Sequence, residues 1–186
     1  FSPEQRDVYE IVLEAQKAAE AEIRPGVSRR APTAAANAVL WAGLERLGLI
    51  ESADATFDPP PGLCPGANGP CPQWYLYVYH GFFHGIGLDV HDPTHFGDVA
   101  PYRYQPGDVF TIEPGIYVRE NVFDGLPDTR GNPRLIERTR DAALKYRNVG
   151  VRIEDDYVLT PEGLVRLSDA PREIADIEAL RTKPVS

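Results

Sequence analysis

Residues 53–73 read as a long loop. Asp58-Pro-Pro-Pro-Gly and Cys64-Pro-Gly-Ala-Asn-Gly-Pro-Cys71-Pro remove backbone donors and fix backbone torsions in a way that neither a helix nor a central strand survives. The block divides the sequence into two parts with different periodicities. Before it, Ser2-Pro3-Glu4-Gln5 is a helix start, with a capping serine, proline at the first helical position and glutamine at the third. Val8, Ile11, Val12, Ala15, Ala18 and Ala19 then keep a 3.6-residue period, which predicts a helix to about Ile23. A second helix is expected from about Thr33 to Leu47, closed by Gly48.

After the block the pattern turns to strands. Trp74-Tyr-Leu-Tyr-Val-Tyr79 is aromatic and β-branched and predicts a strand. Further strands are expected at about Val109–Val118, after the Pro106-Gly107-Asp108 turn, and at Val149–Leu159, before the Thr160-Pro161-Glu162-Gly163 turn. Residues 120–147 read as a second polar excursion, and a closing helix is expected from Pro171 to about Arg181. Helices, then strands joined by turns, then a helix point to an α+β fold with a mostly antiparallel sheet. At 186 residues a single domain is the expectation. A net charge of −9 argues against nucleic-acid binding, which uses a basic face, and no apolar run approaches the roughly 18 residues of a membrane span. Cys64 and Cys71 are either a small-loop disulfide or free thiols, and their spacing is a poor match to a zinc finger. A cytoplasmic location is the expectation.

The chemistry concentrates in a few positions. All four histidines lie in His80-Gly-Phe-Phe-His84-Gly-Ile-Gly-Leu-Asp-Val-His91-Asp-Pro-Thr-His95. His80 and His84 are four apart, but Gly81, Gly85 and Gly87 argue against a helix, so an extended, glycine-bent segment is predicted. Glu113 and Glu154 sit in apolar, strand-like settings where an unpaired carboxylate would be costly to bury. Arg152, two residues before Glu154 and so on the same strand face, is expected to pair with it or orient it. The plain alternative is a buried Arg–Glu pair without metal; with the histidines added, a divalent ion explains the pattern better. Asp155 should face away from Glu154 and be solvated or capping, and Asp156 should share its face. Asp89 and Asp92 could fix the tautomer of His91 or simply be solvated. Tyr79, Tyr102 and Tyr104 read as packing.

Three ordered blocks carry a resemblance: His80-Gly-x-x-His84-Gly-Ile-Gly-Leu-Asp-Val-His91-Asp, Pro106-Gly-Asp-Val-Phe-Thr-Ile-Glu113-Pro-Gly-Ile-Tyr117, and Gly150-Val-Arg152-Ile-Glu154-Asp-Asp. They resemble the pita-bread metallopeptidases, most closely the Xaa-Pro aminopeptidases, with the prolidases close behind. The resemblance implies a curved, mostly antiparallel sheet with flanking helices, and hydrolysis of the bond between an N-terminal residue and proline. It implies His84, Glu113 and Glu154 as metal ligands, with Glu154 bridging two ions. His91 is implied to contact substrate and stabilise the tetrahedral intermediate, His80 to be a second substrate-side histidine, and Arg152 to support the site and substrate. Glu113 would carry the proton from water to the leaving nitrogen, so that His91, Glu113 and His80 are the expected catalytic set. Two divalent ions are implied, manganese first, with zinc and cobalt as alternatives. Peptides with proline second are the implied partners, and a homo-oligomer is compatible with them.

The family's two remaining ligands, both aspartates, come from strands ahead of the opening helix. These 186 residues are therefore expected to be part of a catalytic domain, inactive or nearly so alone, with weak binding of one ion. A prolidase, a non-catalytic binding module and a creatinase-like hydrolase remain the competing readings.

Overall fold

The computed structural model describes residues 1–64, 69–92 and 102–181. Helix α1 (Pro3–Glu22) begins as its sequence dictates: Gln5 N–H donates to the Ser2 hydroxyl at 3.2 Å, and Ser2 N–H donates back to the Gln5 side chain at 2.9 Å. Helix α2 (Arg30–Arg46) packs against it. At Gly43 the contact is close, since a Cβ there would lie 2.4 Å from the Ile11 side chain. Gly48 then ends α2 at φ +73°, as expected of a left-handed cap.

Two two-residue strands, β1 (Thr56–Phe57) and β2 (Cys71–Pro72), pair antiparallel across the Pro/Gly block, and a Cys64–Cys71 disulfide closes the loop between them. Such bonds persist in oxidising compartments and are rare in the cytosol, a contrast with the cytoplasmic expectation. The strand expected at 74–79 is absent: Gln73–Leu76 form a short 3-10 turn. Gln73 is fully buried, and its side chain bonds the backbone N–H and carboxylate of Glu51 at 2.8 and 2.9 Å. That anchor pulls the segment out of the extended path, and Trp74 stacks on Trp41 at 5.1 Å.

The expected long strands are each interrupted once. Residues 109–118 form β3 (Val109–Ile112) and β4 (Gly115–Val118); residues 149–160 form β5 (Val149–Arg152) and β6 (Asp155–Thr160). β3 pairs antiparallel with β6, and β4 with β5. One register runs through both ladders, since Ile112 faces Asp155 and Gly115 faces Arg152. Counting inward from both sides, Glu113 stands opposite Glu154 and Pro114 opposite Ile153. β7 (Gly163–Arg166) completes the outer sheet against β6.

The 120–147 excursion also differs from expectation, because it contains α3 (Asn132–Lys145). Only Leu135, Thr139 and Ala143, each four apart, are buried along its length together with Asn132 at its start. The stripe is regular, but the segment around it is so rich in charged residues that its composition reads as a polar loop. The closing helix α4 (Ile174–Arg181) starts three residues later than expected, since Arg172 turns back to an ion pair with Glu20. Among the described residues, no helix is long and apolar enough to cross a membrane.

Candidate metal centre

The histidine segment lies extended beside β3, as its glycines predicted. Thr111 N–H donates to the His84 carbonyl at 2.9 Å and Glu113 N–H to the Phe82 carbonyl at 2.8 Å. This pairing sets the His84 imidazole beside Glu113, and the β3–β6 register brings Glu154 to the same place. His84 Nε2 lies 3.3 Å from Glu154 Oε1 and 3.7 Å from Glu113 Oε1. The chain then reverses over Gly85–Asp92 and returns His91, whose ring meets that of His84 edge-on at 4.6 Å. One donor atom each from His84, His91 and Glu113 lies within 4.8 Å of the others.

The His84 Nδ1 atom is 3.1 Å from the Gly85 carbonyl, a contact that a ring N–H makes. In that tautomer Nε2 presents a lone pair to two carboxylates. Such an arrangement repels itself unless a proton or a cation sits within it, so the donor set fits a divalent ion. Its nitrogen and oxygen composition, without thiolate, suits a hard or borderline divalent ion more than a soft one.

Glu113 is 6% exposed. Its Oε2 pairs with Arg152 Nη1 at 3.1 Å, leaving Oε1 toward His84. Arg152 thus pairs with Glu113 rather than with its near neighbour Glu154, because the register places it across from Gly115, two residues beyond Glu113. Sequence spacing alone suggested the wrong partner.

Tyr117 joins His80 to this group, and sequence reasoning gave it no role. Arg152 Nε–H donates to the Tyr117 hydroxyl at 2.7 Å, and that hydroxyl lies 3.0 Å from His80 Nε2. His80 Nδ1 lies 2.6 Å from the Gly81 carbonyl. The donors run one way: guanidinium to phenol, phenol to imidazole, imidazole to backbone carbonyl. Burial raises the Tyr117 hydroxyl above the ordinary tyrosine range while the Arg152 bond pulls it back, so it stays a protonated donor. Gly115 makes the room, since a Cβ there would lie 2.7 Å from the Tyr117 oxygen. The two-residue strand period that puts Glu113, Gly115 and Tyr117 on one face was the available signal. Among the described contacts, His80 reaches the cluster through Tyr117 and Arg152 and does not touch His84 or Glu113.

The neighbouring aspartates correct several expectations. Asp155 faces away from Glu154 as expected but is buried, not solvated, and pairs with Arg166 at 3.3 Å and Arg172 at 3.6 Å. Asp156 is exposed and its backbone N–H bonds Ser168. Asp92 accepts from Leu88 N–H at 2.8 Å, so it braces the loop that carries His91. Asp89 is exposed, and His95 lies outside the described residues. Tyr104 is buried packing as expected; Tyr102 also bonds Asp108, and Tyr79 is half-exposed against Tyr117.

The sequence profile of metallopeptidase family M24 matches residues 1–161. The chain belongs to this family. It is 34% identical over 183 residues to the Xaa-Pro aminopeptidase of Haemophilus influenzae, covering 97% of this chain and 35% of that protein. It is likewise 34% identical over 182 residues to Xaa-Pro aminopeptidase 3 of Rattus norvegicus, covering 97% of this chain and 29% of that one. The low-pH form of aminopeptidase P from Escherichia coli superposes with a TM-score of 0.70 at 29% identity, over 98% of this chain and 36% of that structure. The fold is therefore the α+β pita-bread fold of these metallopeptidases. The chain spans about a third of the length of the curated relatives it matches.

Proposed function

We propose that these residues form the metal-binding part of a proline-specific aminopeptidase, one that hydrolyses the bond between an N-terminal residue and a following proline. The observation that carries the reading is the opposition of Glu113 and Glu154 with His84 between them, in a chain whose relatives are named Xaa-Pro aminopeptidases. His84, Glu113 and Glu154 would hold divalent ions, manganese first, with Glu154 shared between two. Bound there, the ions would supply a Lewis acid for the scissile carbonyl and lower the pKa of water toward neutrality.

The protein's own groups do the remainder. Arg152 holds Glu113 Oε2, which turns Oε1 toward His84 and the ion site, and Glu113 would also take a proton from water and pass it to the leaving proline nitrogen. His91, beside His84 and exposed, would donate to the oxygen that becomes negative as the carbonyl is attacked. His80, fixed by Tyr117, offers a second imidazole on the substrate side. Two aspartate ligands from outside these residues would complete a two-ion set, and the domain would be shared with that further chain.

The test is hydrolysis of Arg-Pro-Pro and Ala-Pro with manganese, in this chain alone and in a chain of the relatives' length. The reading expects Arg-Pro-Pro turnover in the longer chain, little or none in the 186 residues, and loss in Glu113→Gln. Turnover of Ala-Pro alone would make the enzyme a prolidase, and no metal-dependent turnover in the longer chain would overturn the reading.

A further inference from the structure

Gln16 is a polar side chain in the middle of α1, completely buried, and reaches under the metal centre. Its Nε2 lies 3.1 Å from the carbonyl of Ile112, 3.4 Å from that of Ile153 and 3.2 Å from Asp155 Oδ2. Ile112 and Ile153 are the residues immediately before Glu113 and Glu154. One amide therefore grips both strands at the point where each hands over its carboxylate.

The ladder explains why it is needed there. Opposite Ile153 stands Pro114, and Ile153 N–H donates to the Pro114 carbonyl at 3.4 Å. The reciprocal bond of an antiparallel pair, from residue 114 back to the Ile153 carbonyl, is impossible because proline has no N–H. Gln16 supplies a donor to that carbonyl from the side. Its orientation is fixed at the other end, where Arg172 Nη1 donates to Gln16 Oε1 at 3.0 Å. Arg172 is in turn held by Glu20, with Nη2 at 3.2 Å from Oε2 and a shorter contact through Nη1. A flipped amide would set its oxygen against two carbonyls and a carboxylate while turning its N–H groups toward a guanidinium.

The geometry points to Gln16 as a positioning residue for the Glu113–Glu154 pair: it replaces the ladder donor missing at Pro114 and fixes the separation of the two carboxylates. It touches neither carboxylate and acts through the strands that carry them. The inference rests on the reading of Glu113 and Glu154 as metal donors, and it also makes a claim that needs no metal.

The deciding experiment compares Gln16→Leu, Pro114→Ala and the double variant by manganese titration, by hydrogen exchange at individual amides and by urea unfolding. Gln16→Leu is expected to weaken manganese binding about tenfold or more, as loss of an outer support to a metal ligand does. Exchange at the Ile153 and Glu113 amides is expected to speed up selectively. Pro114→Ala, which restores the missing N–H, is expected to recover most of both losses in the Gln16→Leu background. A lower unfolding midpoint with unchanged affinity and unchanged relative exchange would overturn the proposal, as would a loss that Pro114→Ala leaves untouched. If the parent protein takes up no manganese, the metal reading fails, and exchange alone decides Gln16: selective loss at Ile153 and Glu113 supports it, uniform change or none overturns it. If Gln16→Leu does not fold, the double variant decides. It folds if a missing donor at Ile153 is what Gln16 replaces, and stays unfolded if what needs Gln16 is its other buried partners, Asp155 and Arg172.

Discussion

Glu113 is buried where an unpaired carboxylate would cost several kcal/mol, yet Arg152 satisfies only one of its two oxygens. The other faces His84 Nε2, itself between two carboxylates. Each group at this point is half-answered, which marks a binding site more than a structural ion pair. Tyr117 shows how the answered half is built. It ties Arg152 to His80, so Tyr117→Phe removes the acceptor of a charged donor and a bond to an imidazole. We expect that substitution to lower unfolding free energy in urea by about 1–3 kcal/mol. A change below about 0.5 kcal/mol would mean that water replaces the phenol in both contacts.

At the level of elements, the site depends on two interruptions. β3 breaks into β4 at Glu113-Pro114, and β5 into β6 at Ile153-Glu154, and the breaks face each other because the register is continuous. Elsewhere polar side chains fasten element to element. Glu51, just beyond α2, accepts from Gln73 at 2.9 Å and from Arg138 of α3 at 2.6 Å. The Gln73 bond, first among its causes, holds its carboxyl below the ordinary glutamate range. A depressed folded value means that the unfolded chain binds the proton more readily, so this contribution is present above roughly pH 4.3 and lost as pH falls through the folded value. Urea midpoints measured between about pH 6 and 3 should fall less steeply for Glu51→Gln than for the parent. Equal slopes would remove Glu51 from the acid response.

Across the whole molecule, the parts legible in the sequence were those where one residue contradicts its surroundings. Glu113 stood out as a charge in an apolar strand, whereas Glu154, expected in the same setting, is exposed; the histidines stood out as a cluster among glycines, and Ser2-Pro3 and Gly48 as helix ends. What could not be read depended on how distant segments meet. Spacing along one strand sets Arg152 beside Glu154, and the partner strand that brings Glu113 to it is not visible in that spacing. Gln16 passed unnoticed, since a glutamine inside a helix ordinarily faces water. α3 was hidden by its charged composition, and Gln73 overrode the strand propensity of the aromatic residues after it. The central claim, that His84, Glu113 and Glu154 form one cation site, is tested most directly by isothermal titration of manganese into the protein, repeated with His84→Ala and Glu154→Ala. The account predicts saturable binding of one ion, weakened at least about tenfold in each variant. No saturable binding, or binding that survives both substitutions, would contradict it.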